Sequence, residues 1–197
     1  MKITPEYIRG FVDGEGSFSI GIRKIHIRGL SRGRPRKVLP PAEFGITLPK
    51  KEANPHDNYQ VFGIFAIGQT KDIGKEVLEE IRRILGCGEI CSCRPRNPRH
   101  STFHKLQVQG IIDHVNRLIP FFDAHPPIIK DMTYRIWKQA VKIIQSQEHL
   151  KREGFLKIAS LKEQLEELQA NKGSSRGGKW TALLDNQAPE TNQLVSF

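Results

Sequence analysis

The chain has 197 residues, enough for one domain with a buried core and a short appendage. Lys and Arg number 31 against 21 Asp and Glu, and the net charge of +10 points to a polyanionic partner, nucleic acid ahead of a membrane surface. No apolar run approaches the ~18 residues of a membrane span, the N-terminus (Met1-Lys2-Ile3-Thr4-Pro5-Glu6) has no signal-peptide core, and three closely spaced cysteines are no secreted disulfide framework. These features favour an intracellular protein of the cytoplasm, nucleoid or an organelle, with no membrane partner.

Thr4-Pro5-Glu6 opens the first helix: a capping threonine, a proline suited to the first helical position and an acid in the first turn. Tyr7, Ile8, Phe11 and Val12 recur at helical spacing until Gly14 and Gly16 stop it. From Ser17 to Ile27 the pattern alternates, with Phe18, Ile20 and Ile22 on one side and Ser17, Ser19, Gly21 and Arg23 on the other. A basic loop follows from Arg28 to Pro41, then a short extra strand over Phe44 to Leu48 and another loop from Pro49 to Asn58. Tyr59 to Gln69 is a second alternating strand. Lys71 to Leu85 is an amphipathic helix stopped by Gly86. Glu89 to Arg94 and Thr102 to Gln109 read as a pair of strands, and Gly110 to Phe122, Lys130 to Gln145 and about Phe155 to Ala170 as helices. After Lys172 the composition turns to Gly, Ser, Asn and Gln, a polar tail. The order predicts an α+β domain: four antiparallel strands, helices on one face, and Arg, Gln, Lys, Ser and Thr on the other.

Cys87, Cys91 and Cys93, with His100 and His104 nearby, invite a zinc reading. However, C-x3-C-x-C is not knuckle spacing, and thiols carried on a strand are the plainer account. The informative window is Ile8-Arg9-Gly10-Phe11-Val12-Asp13-Gly14-Glu15-Gly16. Asp-Gly-Glu-Gly alone is a turn signal. Gly10 and Gly14 lie four apart, however, on one helix face where a second helix can approach backbone to backbone. Glycine inside a helix costs about 1 kcal/mol, so a packing purpose is indicated. Glu15 is expected just beyond the carboxyl end of the helix, where partial negative charge disfavours another carboxylate. A divalent cation would reverse that sign; a solvated Glu15 is the alternative that the residues leave open.

Residues 8–16, followed by Ser17-Phe18-Ser19-Ile20, resemble the signature helix and first strand of the LAGLIDADG homing endonucleases. The resemblance continues in order to about Gln145, through Phe65-Ala66-Ile67-Gly68-Gln69, Leu85-Gly86-Cys87-Gly88-Glu89-Ile90 and Pro126-Pro127-Ile128-Ile129-Lys130. It implies a saddle-like four-stranded sheet in αββαββα order within a domain of residues 1–170, with 171–197 as the tail. It also implies an intron-encoded enzyme that hydrolyses both strands of a long double-stranded DNA site across the minor groove, leaving 3′ overhangs. On this likeness Glu15 is the metal-binding acid, with the Gly14 carbonyl as a further ligand, and Asp13 is a structural cap at the helix end. Gln69 matches a residue that orders water near the scissile phosphate, and Lys130 a basic residue of that water network. A strand-end glutamine and a solvated lysine opening a helix are the alternatives. Mg²⁺ is the implied cofactor, and Ca²⁺ is expected to fill the site without supporting cleavage.

Only one Asp-Gly-acid-Gly segment is present, and Phe122-Asp123-Ala124-His125 lacks the glycines of a second copy. Two strands need two active centres or one that moves, and the expectation is a homodimer packed through Gly10, Phe11 and Gly14 about a two-fold axis, on a near-palindromic site. Between Arg23 and Lys37 lie seven Lys/Arg and no acid. Arg23, His26, Arg28, Arg32, Arg34 and Arg36 are thus the first candidates for DNA contact. Arg94, Arg96, Arg99 and His100 form a second set, with Gln107 and Gln109 as base readers and Lys172, Arg176 and Lys179 as backbone contacts. The main alternative is an RNA-binding intron maturase on the same scaffold; a non-catalytic DNA-binding regulator makes no use of Glu15.

Overall fold

The computed structural model describes residues 3–24, 59–95 and 101–170. Helix α1 (Pro5–Glu15) starts where the Thr4 hydroxyl oxygen accepts the Tyr7 N–H at 3.3 Å, and its inner stripe, Ile8 and Val12, is wholly buried. Strand β1 (Gly16–Lys24) follows without an intervening turn. Strand β2 (Tyr59–Thr70) runs antiparallel to it, in register from Gly16 opposite Ile67 to Lys24 opposite Tyr59. Helix α2 (Lys71–Leu85) ends on Gly86, whose φ of 69° is left-handed and fits a residue without Cβ. Strands β3 (Glu89–Cys93) and β4 (Phe103–Val108) complete an antiparallel sheet in the order β1-β2-β4-β3. The α+β architecture with a four-stranded antiparallel sheet is therefore as the patterning predicts.

The helical half is more broken than the periodicity suggests. In place of one helix over Gly110 to Phe122 there are α3 (Ile111–Asp113), a π-helical turn (His114–Leu118) and α4 (Ile119–Ala124). Pro120 has no N–H for the carbonyl four residues back, and a widened turn just before it, with Ile119 N–H bonded to His114 O, absorbs the mismatch. Helices α5 (Asp131–Gln145) and α6 (Arg152–Ala170) then cover the sheet, joined by a 3-10 turn at Glu148–Leu150.

Alternation along the strands sorts the side chains onto two faces. Phe18, Ile20, Ile22, Val61, Phe65, Ile67, Leu106 and Val108 are buried beneath the helices. Phe18 is the hub, its ring 5.2–5.4 Å from those of Phe65, Phe122, Tyr134 and Trp137. Gly63 lets α5 settle on β2: a Cβ there would lie 3.0 Å from Val141 Cγ2 and 3.1 Å from Trp137 Nε1.

His114, in the π turn, is completely buried against Trp137. Its Nε2 lies 3.0 Å from the Val108 carbonyl oxygen and so donates to it, while Nδ1 has no partner, which is the neutral form. Burial holds its pKa below the ordinary 6.5, against smaller opposing effects of the Val108 bond and Asp113. The folded chain therefore binds fewer protons than the unfolded chain just below pH 6.5, and stability present above that pH falls as the solution is acidified. We expect the urea midpoint to drop between pH 7 and 5 and the His114→Gln variant to show a shallower drop; equal slopes for the two proteins would contradict this account.

Candidate functional site

The carboxyl end of α1 presents two acids, and they go different ways. The Asp13 carboxylate turns toward the segment that leads into α5. Its Oδ2 accepts the Ile128 N–H at 2.9 Å, and its Oδ1 accepts those of Ile129 and Lys130 at 3.0 and 3.1 Å. In return the Lys130 ammonium donates to the carbonyl oxygens of Val12 at 2.9 Å, Gly14 at 3.2 Å and Gly16. The result is a two-way clamp between residues 12–16 and 128–130. Asp13 caps the entrance to α5, a partner distant in sequence, whereas Lys130 supplies the positive charge that the end of α1 itself lacks.

Glu15 remains. It is the last residue of α1 rather than one beyond it, it is exposed, and among the described residues no hydrogen bond or ion pair engages its carboxylate. The Gly14 carbonyl precedes it on the same helix end. A carboxylate and a carbonyl are hard oxygen donors of the kind Mg²⁺ and Ca²⁺ take, so the residues fit a divalent cation. They are too few to enclose one. Among the described residues no group of three or more His, Cys, Asp or Glu is placed to hold a metal. A complete shell would need further oxygens, from water or from another molecule.

Gln69 lies near the end of β2, two residues past Ile67, which faces Gly16 across the β1–β2 ladder. It is half-buried and lines an open cleft between α1 and α2 with Phe11, Ile73 and Val77. The first turn of α2 packs against it: a Cβ on Gly74 would sit 2.9 Å from the Gln69 Cβ. Among the described residues nothing covers the outward stripe of α1: Gly10 and Gly14 are exposed with no neighbouring atom within 4 Å of an added Cβ, and Tyr7, 43% exposed, stacks on Phe11 at 5.6 Å.

The sheet face away from the helices carries Ser17, Ser19 and Arg23 on β1, Gln60 and Phe62 on β2, Lys105 and Gln107 on β4, and Glu89, Cys91 and Cys93 on β3, all exposed or half-buried. Arg23 donates to Gln60 Oε1 at 2.5 Å and lies over the Phe62 ring. Gln107 faces Glu89 across the β3–β4 ladder, and Gln109 lines one cleft with both. Arg94 follows β3 and is exposed. His26, Arg28, Arg32, Arg34, Arg36, Arg96, Arg99, His100, Lys172, Arg176 and Lys179, with the expected strand Phe44 to Leu48, lie outside the described residues. Ser17 and Ser19 were placed on this face by alternation but not named as contacts, and Gln60, Glu89 and Lys105 were not named as contacts although the same alternation was the available signal.

The cysteine cluster divides in space. Cys91 and Cys93 are exposed on the open sheet face, while Cys87 is buried and its thiol is pushed up to about 11, by burial foremost and by Asp113. His104 points to the helix side, its Nδ1 2.8 Å from Ser92 Oγ. It therefore cannot share a zinc ion with Cys91 and Cys93, which stand on the opposite face.

No protein-family model matches the chain. An uncharacterized 50.9 kDa protein in ND4 intron 1 of Podospora anserina is 29% identical over 152 residues, 75% of this chain and 26% of that protein. The chain thus spans about a quarter of the length of this curated relative. Among solved structures, the homing endonuclease I-TnaI superposes with a TM-score of 0.62 at 22% identity, over 94% of this chain and 96% of that one. I-SmaMI, bound to an uncleaved DNA target in the presence of calcium ions, gives 0.59 at 24% identity, over 86% of this chain and 49% of that one. I-GzeII, a LAGLIDADG homing endonuclease in complex with its DNA target, gives 0.57 at 24%, over 83% and 44% respectively. No helix among the described residues is long and apolar enough to cross a membrane.

The Asp13 clamp yields a direct test. Asp13→Ala leaves three amides before α5 without their acceptor and should lower stability by about 1–2 kcal/mol. It should also speed hydrogen exchange at Ile128, Ile129 and Lys130. Unchanged exchange at those amides would show that water replaces the carboxylate at no cost.

Proposed function

Since this chain has the LAGLIDADG homing endonuclease fold, we propose that it is a site-specific, metal-dependent DNA endonuclease that acts as a homodimer. The observation that carries the reading is Glu15: an exposed, unengaged carboxylate at the tip of a helix whose glycine face is bare. Two copies meeting along Gly10, Phe11 and Gly14 would bring two such carboxylates together near a two-fold axis. The matched residues correspond to about the whole of I-TnaI and to about half of I-SmaMI.

Hydrolysis requires water to attack phosphorus opposite the leaving 3′ oxygen. When bound by Glu15 and the Gly14 carbonyl, Mg²⁺ would supply Lewis-acid stabilisation of charge at the phosphate and a more acidic water. The chain's own residues do the rest. α1 fixes the height of Glu15 above the sheet, and the Asp13–Lys130 clamp fixes the end of α1. Gln69, at the end of β2, offers an amide to order water. The open sheet face, with Arg23, Gln107 and Gln109, reads base edges in the flanking major groove, and the lysine- and arginine-rich segments contribute backbone affinity. Calcium in the I-SmaMI complex with uncleaved DNA agrees with a site that takes divalent cations.

The test uses the full chain, Mg²⁺ and duplex DNA spanning the uninterrupted insertion site of its coding element. Wild type should cut both strands and leave 3′ extensions, with two chains per duplex by sedimentation. Glu15→Gln should cut about 1,000-fold more slowly or worse while binding the same duplex within about threefold. Loss of binding along with cutting, in a folded variant, would overturn the division between affinity and chemistry. A wild-type protein that leaves this duplex intact but binds its intron RNA would be a splicing cofactor on the same scaffold.

A further inference from the structure

An ammonium has three protons, and Lys130 spends them on three carbonyls: those of Val12, Gly14 and Gly16. In this arrangement those bonds engage the ammonium away from water or phosphate, the work expected of it in the site. One of the three acceptors is also the proposed metal ligand. The contact to Gly14, at 3.2 Å, is longer than that to Val12, at 2.9 Å. A divalent cation arriving at Glu15 and the Gly14 carbonyl would stand close to the ammonium, with like charge and a shared oxygen. Two cations on one helix end repel, and the long, flexible lysine stem is the part able to give way.

We propose that Lys130 is an exchangeable stand-in for the metal: the metal-free protein keeps the end of α1 neutralised with this ammonium, and cation binding takes over the Gly14 carbonyl and releases an N–H of Lys130 toward the scissile phosphate or its water. The inference rests on the reading of Glu15 as metal ligand and deepens it. It gives one event two consequences, loading of the metal and delivery of a positively charged donor, so the donor is presented only when the site is loaded. The contacts to Val12 and Gly16 leave the lysine tethered at the same helix end. Asp13 is the fixed half of the clamp, because its three acceptor bonds go to backbone amides that do not compete with a cation.

The coupling has a signature that neither a purely structural lysine nor a constitutive catalytic one would give. Removing the charge should tighten metal binding rather than weaken it. Mn²⁺ binding to the full-length protein is measured by loss of the free-ion electron paramagnetic resonance signal, and the site is defined as the part that Glu15→Gln abolishes. Lys130→Met should bind Mn²⁺ at that site roughly 5- to 20-fold more tightly, whereas Asp13→Asn should not tighten it. Independently of any variant, acetylation of Lys130 in the wild-type protein, followed by mass spectrometry, should accelerate when saturating Ca²⁺ is added. Unchanged or weaker Mn²⁺ binding by Lys130→Met, or, if that variant does not fold, labelling of Lys130 indifferent to Ca²⁺, would overturn the exchange while leaving the metal site intact. Absence of any Glu15-dependent Mn²⁺ binding would overturn the metal reading and the exchange together.

Discussion

The carboxyl end of α1 is the constraint from which the rest of the arrangement follows. A helix terminates there with carbonyls that lack intrahelical partners, and it runs into β1 with no loop to turn those carbonyls toward water. An unneutralised end of this kind, next to Asp13 and Glu15, would carry partial charge and two acids together. The Lys130 ammonium on three carbonyls and Asp13 on three amides resolve this by pairing each surplus with its opposite from the far end of the domain. Once Asp13 is used in this way, Glu15 is the acid that remains unengaged.

The direct junction also links chemistry to the sheet. Gly16 is at once the cap of α1 and the first residue of β1, and it sits opposite Ile67 on β2. Ile8 and Val12 anchor the helix on the sheet's apolar face. Glu15 is therefore held at the margin between the covered face, where stability resides, and the open face, where Arg23, Lys105 and Gln107 stand. A loop at this junction would loosen the position of the carboxylate relative to the surface proposed to hold the duplex. Its absence gives a rigid support of the kind a positioned metal ligand requires.

Local physics was legible in the residues, and distant pairing was not. The capping threonine, the apolar stripe of α2 with Gly86 after it, and the alternation along β1 and β2 act over a few residues, so the elements could be read directly. The π turn escaped because the apolar spacing of Ile111, Ile112, Val115, Leu118 and Ile119 is that of an unbroken helix and does not register the missing N–H of Pro120. Asp13 read as a cap, but its partners lie 115 to 117 residues away, a separation that no periodicity encodes. Lys130 read as a basic residue near the site through resemblance alone; its bonds to three carbonyls needed coordinates. The cysteines lie close in sequence, but alternation puts Ser92 and His104 on the side away from Cys91 and Cys93, in keeping with thiols carried on a strand.

The bare glycine stripe and the free acid also make sense only together. Glycines at positions 10 and 14 weaken α1 as an isolated helix, and no atom of the chain's described residues packs on them. A second α1 seated there would recover that cost through close backbone contact, but the same closeness would bring two Glu15 carboxylates toward each other. Two unit charges about 6 Å apart repel by about 1–3 kcal/mol across the range from water to a protein surface, comparable to what a small helix interface contributes. A dimer built this way is therefore most comfortable with positive charge at its seam. Lys130 supplies some in the metal-free protein, at the carbonyls rather than at the carboxylates. The remaining deficit would make such a seam receptive to a divalent cation, and it would be the electrostatic reason for assembly, metal and catalysis to converge on one helix end.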